Sequence, residues 1–459
     1  MRHAHNPTSK NSFESIAEKA LKSVAPVVPI VDHADLPGTG KSMLVRRVEA
    51  LDVLRGIALL GMFLVHMVGI AARPVWIGDR LAALSVEALA QGKFYPLFSL
   101  LFGIGFAIQM HRAEVRGGSF VGFYLRRMGT LLLLALGIMT LADYNSILFH
   151  YAVIGAILLP LRRMPTRLLL LLGLAGVIVS VAYSPLHVEW RRHIVTVRLE
   201  QAGVPLTPGR VMRELQREDA ELQRDNPNAN GVADRGTYWE MVQGRAGWLA
   251  FRVRNADFYD DGDIFALVVL GFVLGRAGVL GQIESRRAFI RKAMMWGLAI
   301  GLPCSMLAFL GVRWWDQTAL ATRLLVSLLK HVSDLALMFF YAGVTLEALR
   351  RPRWRGAIAL AGWPGRMALT NFGLHLVIIA LLSYGYGLGL RGLLPASLCW
   401  AMVAGEFALQ ILISVWWLRT FQFGPLEWVW RSASYLRLEP LQRVSSRAPE
   451  NKYRTLLGS

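Results

Sequence analysis

Three ionisable residues stand inside one apolar run, LDVLRGIALLGMFLVHM at residues 51–67: Asp52, Arg55 and His66. Each is costly in hydrocarbon and is there to do something. On a helix the step from Arg55 to His66 closes to within about 20° of full turns and rises about 16 Å, so the two share one face. Asp52 lies one turn before Arg55, placed to orient it. Such a stripe puts a cation at one depth and an imidazole at another. An anionic donor could be held at Arg55 while His66 takes a proton from an acceptor. The bland alternative is a structural Asp52–Arg55 pair and a buried, hydrogen-bonded His66.

Further polar residues interrupt other apolar runs. Asn371 and His375 are i,i+4, with Arg366 and Thr370 ahead of them, a row that suits an anionic cofactor at a helix N-terminus. Glu406, Gln410 and Ser414 repeat every four residues and make one helix stripe. His331 and Asp334 are i,i+3 with Lys330 beside them, which reads as an ion pair or a relay. His150 is a further pathway candidate. Interhelical hydrogen bonding is the competing reading for all of these.

The elements that must position these residues are membrane helices. Apolar residues make up 54% of the 459 and charged ones only 18%, with a mean hydropathy of +0.41. This excludes disorder over most of the length and argues against a soluble domain. Two cysteines, Cys304 and Cys399, exclude a disulfide scaffold. Neither HExxH nor a Cys-rich spacing is present, so no metal site is expected. The expected fold is all-α and polytopic, with about ten spans near 50–70, 94–110, 128–142, 146–161, 167–185, 263–280, 292–312, 326–348, 368–386 and 394–417. The third and fourth are separated by a polar turn at Asp143–Asn145.

A net charge of +19 would point to nucleic acid in a soluble protein, but here the basic residues cluster between spans. One alternating set of loops carries 17 Lys and Arg, the other 6, including Lys93. The basic set is cytoplasmic, and with it both termini. Residues 1–45 read as a disordered basic tail, 46–435 as the membrane domain and 436–459 as a cytoplasmic tail. Gly38–Ser42 lacks the glycine and the strand of a phosphate-binding loop. Residues 186–262 form an extracytoplasmic insertion, with a partly exposed helix at 210–223, a loop at 226–236, and an apolar, aromatic stretch at 238–258 that should pack on the membrane domain. Trp428 and Trp430, after the last span, are expected anchors.

The stretch RVEALDVLRGIALLGMFLVHM resembles the first helix of the YeiB-like family (domain of unknown function family 418) and of heparan-α-glucosaminide N-acetyltransferase. Its Arg, ten residues and His also resemble the signature of acyltransferase family 3. The YeiB-like resemblance returns in GKFYPLFSLLFGIGFAIQ, ILFHYAVIGAILL and VLGFVLGRAGVL, and is strongest in GRMALTNFGLHLVIIALLSYGYGLGL and FGPLEWVWRSASY, covering about 46–435. Gln410 and Ser414 match that family's pattern. Many of its members carry Asn where this chain has His66; the histidine makes this chain look more like an acyltransferase.

The resemblance implies a bacterial inner-membrane enzyme moving an acyl group, expected to be acetyl, from cytosolic acyl-CoA to an extracytoplasmic hydroxyl or amine on a glycan or small molecule. His66 would be the base and Arg55, oriented by Asp52, the ligand of the anion or thioester. Arg366, Asn371 and His375 would complete the cofactor side. Membrane lipids are the expected surroundings; nucleic acid and metal are not expected partners. A small-metabolite transporter, or a non-catalytic assembly or signalling protein, would use the same polar faces differently.

The charge asymmetry generates a topology prediction. A cysteine placed near Asn228 should react with an impermeant thiol reagent on intact spheroplasts; reaction only after lysis would reverse the orientation.

Overall fold

The structure is a computed structural model. It describes residues 38–115, 120–142, 146–222, 235–254, 262–278 and 286–442. The expected tails before residue 38 and after 442, the turn at Asp143–Asn145 and most of the 226–236 loop lie outside these residues. The described residues form helices α1 (Gly38–Gly69), α2 (Ile77–Leu89), α3 (Phe94–Val115), α4 (Phe120–Leu141), α5 (Ile147–Leu161), α6 (Thr166–Gln201), α7 (Pro208–Leu222), α8 (Tyr238–Arg254), α9 (Gly262–Arg276), α10 (Arg287–Trp314), α11 (Leu320–Arg350), α12 (Pro352–Leu360), α13 (Gly362–Arg366), α14 (Ala368–Ser383), α15 (Ala396–Thr420) and α16 (Pro425–Tyr435). No β-strand forms among them; an isolated bridge joins Phe421 and Gln442.

Seven helical segments are long and apolar enough to cross a membrane, and α5 and α14 are shorter apolar helices. The chain is therefore a multi-pass membrane protein. A helix stands at each expected span, but several boundaries move. α1 starts at Gly38, inside the expected tail, and takes up the Gly38–Ser42 string. α6 runs 36 residues, about 54 Å, and so outreaches a hydrocarbon core of about 30 Å. The insertion thus begins as the projecting end of a membrane helix.

That projecting end is stitched to α7 by ion pairs of Arg191 with Glu218 and Asp219 and of Arg198 with Glu218. α8 starts with a reciprocal cap. The Thr237 amide donates to the Glu240 carboxylate, and the Glu240 amide donates to the Thr237 hydroxyl. The Thr237 amide and hydroxyl, both donating to the Glu240 carboxylate, hold its carboxyl below its ordinary range. α8 packs against α4, as its apolar and aromatic content predicts.

α1 sits at the centre, with 61% of its span buried, more than any other long helix. It contacts α3, α11, α13, α14 and α15. Its closest neighbour is the GWPGR segment of α13. A Cβ on Gly56 would lie 1.8 Å from the Ala361 carbonyl oxygen, and one on Gly365 would lie 1.8 Å from the Asp52 carbonyl oxygen. Backbone meets backbone here, which only glycine permits. The same device joins α3 to α9 at Gly103 and Gly271, and α10 to α11 at Gly297. The main apolar core gathers Leu59, Phe63, Met67, Phe106, Tyr124 and Leu376, among others, from α1, α3, α4 and α14.

Gly365→Ala should therefore destabilise the protein by about 1–3 kcal/mol, the scale of overpacking. Thermal unfolding in detergent should fall, and Gly105→Ala, where a Cβ meets nothing within 4 Å, should leave it unchanged.

Candidate functional site

The polar residues of α1 fall into two groups, one at each end of its buried face. In the lower group, Arg55 Nη1 donates to Asp52 Oδ1 at 3.1 Å. Arg366, carried into place by the α1–α13 contact, lies close enough to Asp52 to interact with its carboxylate, and Arg127 is within electrostatic reach of Arg55. Arg366 also stacks on Trp363, and Arg127 lies 3.5 Å above the Trp430 ring. The Asp52 carboxylate thus interacts with two guanidinium groups, with a third within reach of Arg55, a basic cluster of the kind that can receive an anion.

In the upper group the His66 ring lies parallel to that of His375, with centroids 5.3 Å apart, and Phe63 stacks on the same His375 ring at 4.0 Å. His375 Nδ1 is 2.8 Å from Glu406 Oε1. With Glu406 ionised, Nδ1 carries the proton, and Nε2 keeps the lone pair. Among the described residues, Nε2 of His375 and Nδ1 of His66 are both buried without a hydrogen-bond partner. Two imidazole rings are thus held among Phe63 and Phe372, one of them oriented by a carboxylate.

The two stripes foreseen on the ninth and tenth spans turn out to be partners. Gln410 Nε2 donates to Glu406 Oε1 at 3.1 Å and to the Asn371 carbonyl at 3.4 Å. Asn371 Nδ2 donates to the Pro364 carbonyl and to Ser414 Oγ, each at 3.1 Å. This zips α14 to α15 and ties both to α13. Asn371 therefore serves the scaffold, not an anionic ligand. The N-terminus of α14 is also taken: the Glu427 carboxylate, from α16, accepts the amides of Leu369 and Thr370 and the Thr370 hydroxyl. An anion at that helix end, expected from the sequence, meets an anion already in place.

The pairing expected among Lys330, His331 and Asp334 is also corrected. Asp334 pairs with Lys93, 2.8 Å away, and both side chains are buried. Lys93 follows Gly92, whose φ of +83° makes the break between α2 and α3 and leaves no room for a Cβ beside the Asp334 carboxylate. Lys93 is thus a buried partner and not a loop charge. His331 instead bonds Ser180 and the Ser327 carbonyl. His150 is buried on α5, edge-on to Phe149, and among the described contacts joins neither group.

Residues 274–437, the end of α9 through α16, match the family model "Protein of unknown function (DUF418)". The chain is also 28% identical over 419 residues to "Uncharacterized protein YxaH" of Bacillus subtilis (strain 168), covering 86% of this chain and 96% of that one. It is 26% identical over 420 residues to "Uncharacterized protein YeiB" of Escherichia coli (strain K12), covering 86% and 98%. The chain is similar to YeiB and YxaH along most of its length and matches DUF418 over its C-terminal third. The DUF418 match takes in α13 to α16, the scaffold that presents Arg366, His375, Glu406 and Glu427, while Asp52, Arg55 and His66 come from α1 outside it.

The sequence alone did not point to Glu427, Lys93 or Arg245. Glu427 lies in FGPLEWVWRSASY, where only the block's distinctiveness hinted at a role. Trp430, expected as a membrane anchor, donates to the Arg127 carbonyl, and Trp428 to the Glu439 carbonyl, so both anchor protein to protein. Arg245 of α8 is wholly buried. It donates to the Leu141 carbonyl and the Tyr386 hydroxyl and lies over Tyr384, pinning the insertion to the bundle.

Removing one member of the buried Lys93–Asp334 pair strands the other charge. Asp334→Leu should cost about 3–5 kcal/mol, and Lys93→Met together with Asp334→Leu should restore most of it. Equal unfolding temperatures for the single and double variants would show that the pair is not a buried unit.

Proposed function

We propose that this protein is an inner-membrane acyltransferase, taking an acyl group, acetyl in the simplest case, from cytosolic acyl-CoA and passing it to a hydroxyl or amine acceptor, a glycan or small molecule, on the outer side. The observation that carries the reading is the junction of His66 with His375 and Glu406. It is an imidazole pair with a bound carboxylate, joined through α1 to a guanidinium cluster about 16 Å away along the helix.

In this reading the lower cluster holds the anionic part of the donor. Arg55 and Arg366 bind it, and Asp52 keeps Arg55 in place. An extended pantetheine arm covers the distance to His66. The acceptor O–H or N–H gives its proton to His66 as the oxygen or nitrogen attacks the thioester carbonyl. A C–O or C–N bond forms, the C–S bond breaks, and CoA leaves as thiolate, which takes the proton from the His66 imidazolium and restores the base. His375 is a positioning residue: its ring supports His66, and Glu406, through His375, offsets the positive charge that His66 gains. Stacked rings cannot share a proton in plane, so in this reading His375 does not relay the His66 proton.

The positive-inside asymmetry and the bacterial relatives support an inner-membrane location with the arginine cluster toward the cytosol. A transporter of a small metabolite is the competing class, since buried ionisable groups also line transport paths.

His66→Asn keeps volume and hydrogen bonding but removes the base. Acyl transfer by the purified variant should fall about 10²–10⁴-fold while CoA binding persists. A wild-type rate would make His66 a packing residue. Arg55→Lys keeps the charge but not the planar fork, and should weaken CoA binding measured by calorimetry; unchanged affinity would remove Arg55 from the donor site.

A further inference from the structure

The connector between α11 and α14 runs at a membrane surface, because α11 is a spanning helix and α14 an apolar one. Its first half is α12, PRWRGAIAL, and none of these nine residues is buried. Arg351 has the extended backbone of an N-cap and Pro352 opens the helix. The Trp354 and Arg355 amides then close the first turn on the Arg351 carbonyl. A helix this short is not stable by propensity alone and needs a surface to cover it. The protein covers one side: Gly356, Ile358 and Ala359 are half-buried, and Arg355 pairs with Glu49 of α1 at 3.1 Å.

The other side is open. Trp354, Ala357 and Leu360 are exposed and lie within about 120° of one another around the helix, with exposed Arg353 among them. The Arg353 guanidinium is 5.5 Å from the centre of the Trp354 ring. Among the described residues neither Arg351 nor Arg353 has a carboxylate partner, and Arg351 is exposed beside them. An apolar stripe alone would suit a lipid or a protein. The tryptophan and the two unneutralised guanidinium groups at the end of a spanning helix decide between them. A tryptophan at that level belongs among lipid head groups, and arginines beside it meet lipid phosphates. In a zwitterionic lipid the phosphate is cancelled by the lipid's own cation, so the excess charge of Arg351 and Arg353 favours an acidic one.

We propose that α12 lies in the head-group layer and binds an acidic phospholipid of the bilayer that the protein spans. Arg351 and Arg353 hold the anionic head group, while Trp354, Ala357 and Leu360 rest on the boundary of the acyl chains. The lipid is thus the second surface that the short helix needs. This site is independent of acyl transfer at His66.

The test reads which lipid stands beside α12. Full-length protein carrying Cys304→Ala, Cys399→Ala and Ala357→Cys is labelled with a fluorophore at residue 357 and reconstituted into phosphatidylcholine nanodiscs. These contain equal mole fractions of either brominated phosphatidylcholine or brominated phosphatidylglycerol, and bromine quenches the label on contact. Brominated phosphatidylglycerol should quench at least about twofold more than brominated phosphatidylcholine, and raising the salt should narrow the gap. Arg351→Gln together with Arg353→Gln, both at exposed positions and so harmless to folding, should make the two lipids equal. Equal quenching by the two lipids before that change, quenching by neither, or a preference undiminished in the double variant would overturn the proposal.

Discussion

Everything at the candidate site hangs on the backbone contact between α1 and α13. Gly56 against Ala361 and Gly365 against Asp52 bring two backbones closer than any side chain would allow. That contact sets Arg366 beside Asp52 and Arg55. It also sets the level at which α14 begins, and so decides that His375 arrives beside His66. The Glu427 cap then fixes the start of α14 from the other side. A shift of one residue at either contact would turn His375 by about 100° away from α1.

The second constraint is the cost of polar groups where no water can reach them. The structure meets it by pairing stripes. Glu406, Gln410 and Ser414 on α15 face Asn371 and His375 on α14, and most of their donors and acceptors are used among themselves. The exceptions are informative. Among the described residues, His66 Nδ1, His375 Nε2, Glu406 Oε2 and Gln410 Oε1 are buried without a hydrogen-bond partner, where α1 meets this network. A zipped scaffold that leaves polar atoms unspent at one junction has the form of a site held in rigid surroundings.

The sequence made the helices and the α1 stripe legible because charges inside apolar runs are conspicuous and helix spacing gives their face. The i,i+4 rows on α14 and α15 were visible for the same reason. What could not be read was who faces whom. Lys93 and Asp334 are far apart in the chain, and local spacing instead offered Lys330 and His331 as partners. Glu427 was hidden because an acidic residue beyond the last span looks solvated until α16 folds back onto α14. The extent of α6 was missed because its outer half is polar, and hydropathy ends where the membrane does, not where the helix does. The positive φ at Gly92 turns an apparent loop lysine into a buried ion-pair partner.

Transport and acyl transfer make different demands on this architecture. A transporter needs two compartments; an acyltransferase needs only donor, acceptor and the joined α1 clusters. The most direct measurement is release of free CoA thiol from acetyl-CoA by the purified protein in detergent micelles, with extracellular glycan fragments as acceptors. The account predicts thiol release matched one for one by acylated acceptor. Absence of thiol release with every acceptor, together with solute uptake when the same protein is sealed into vesicles, would contradict it.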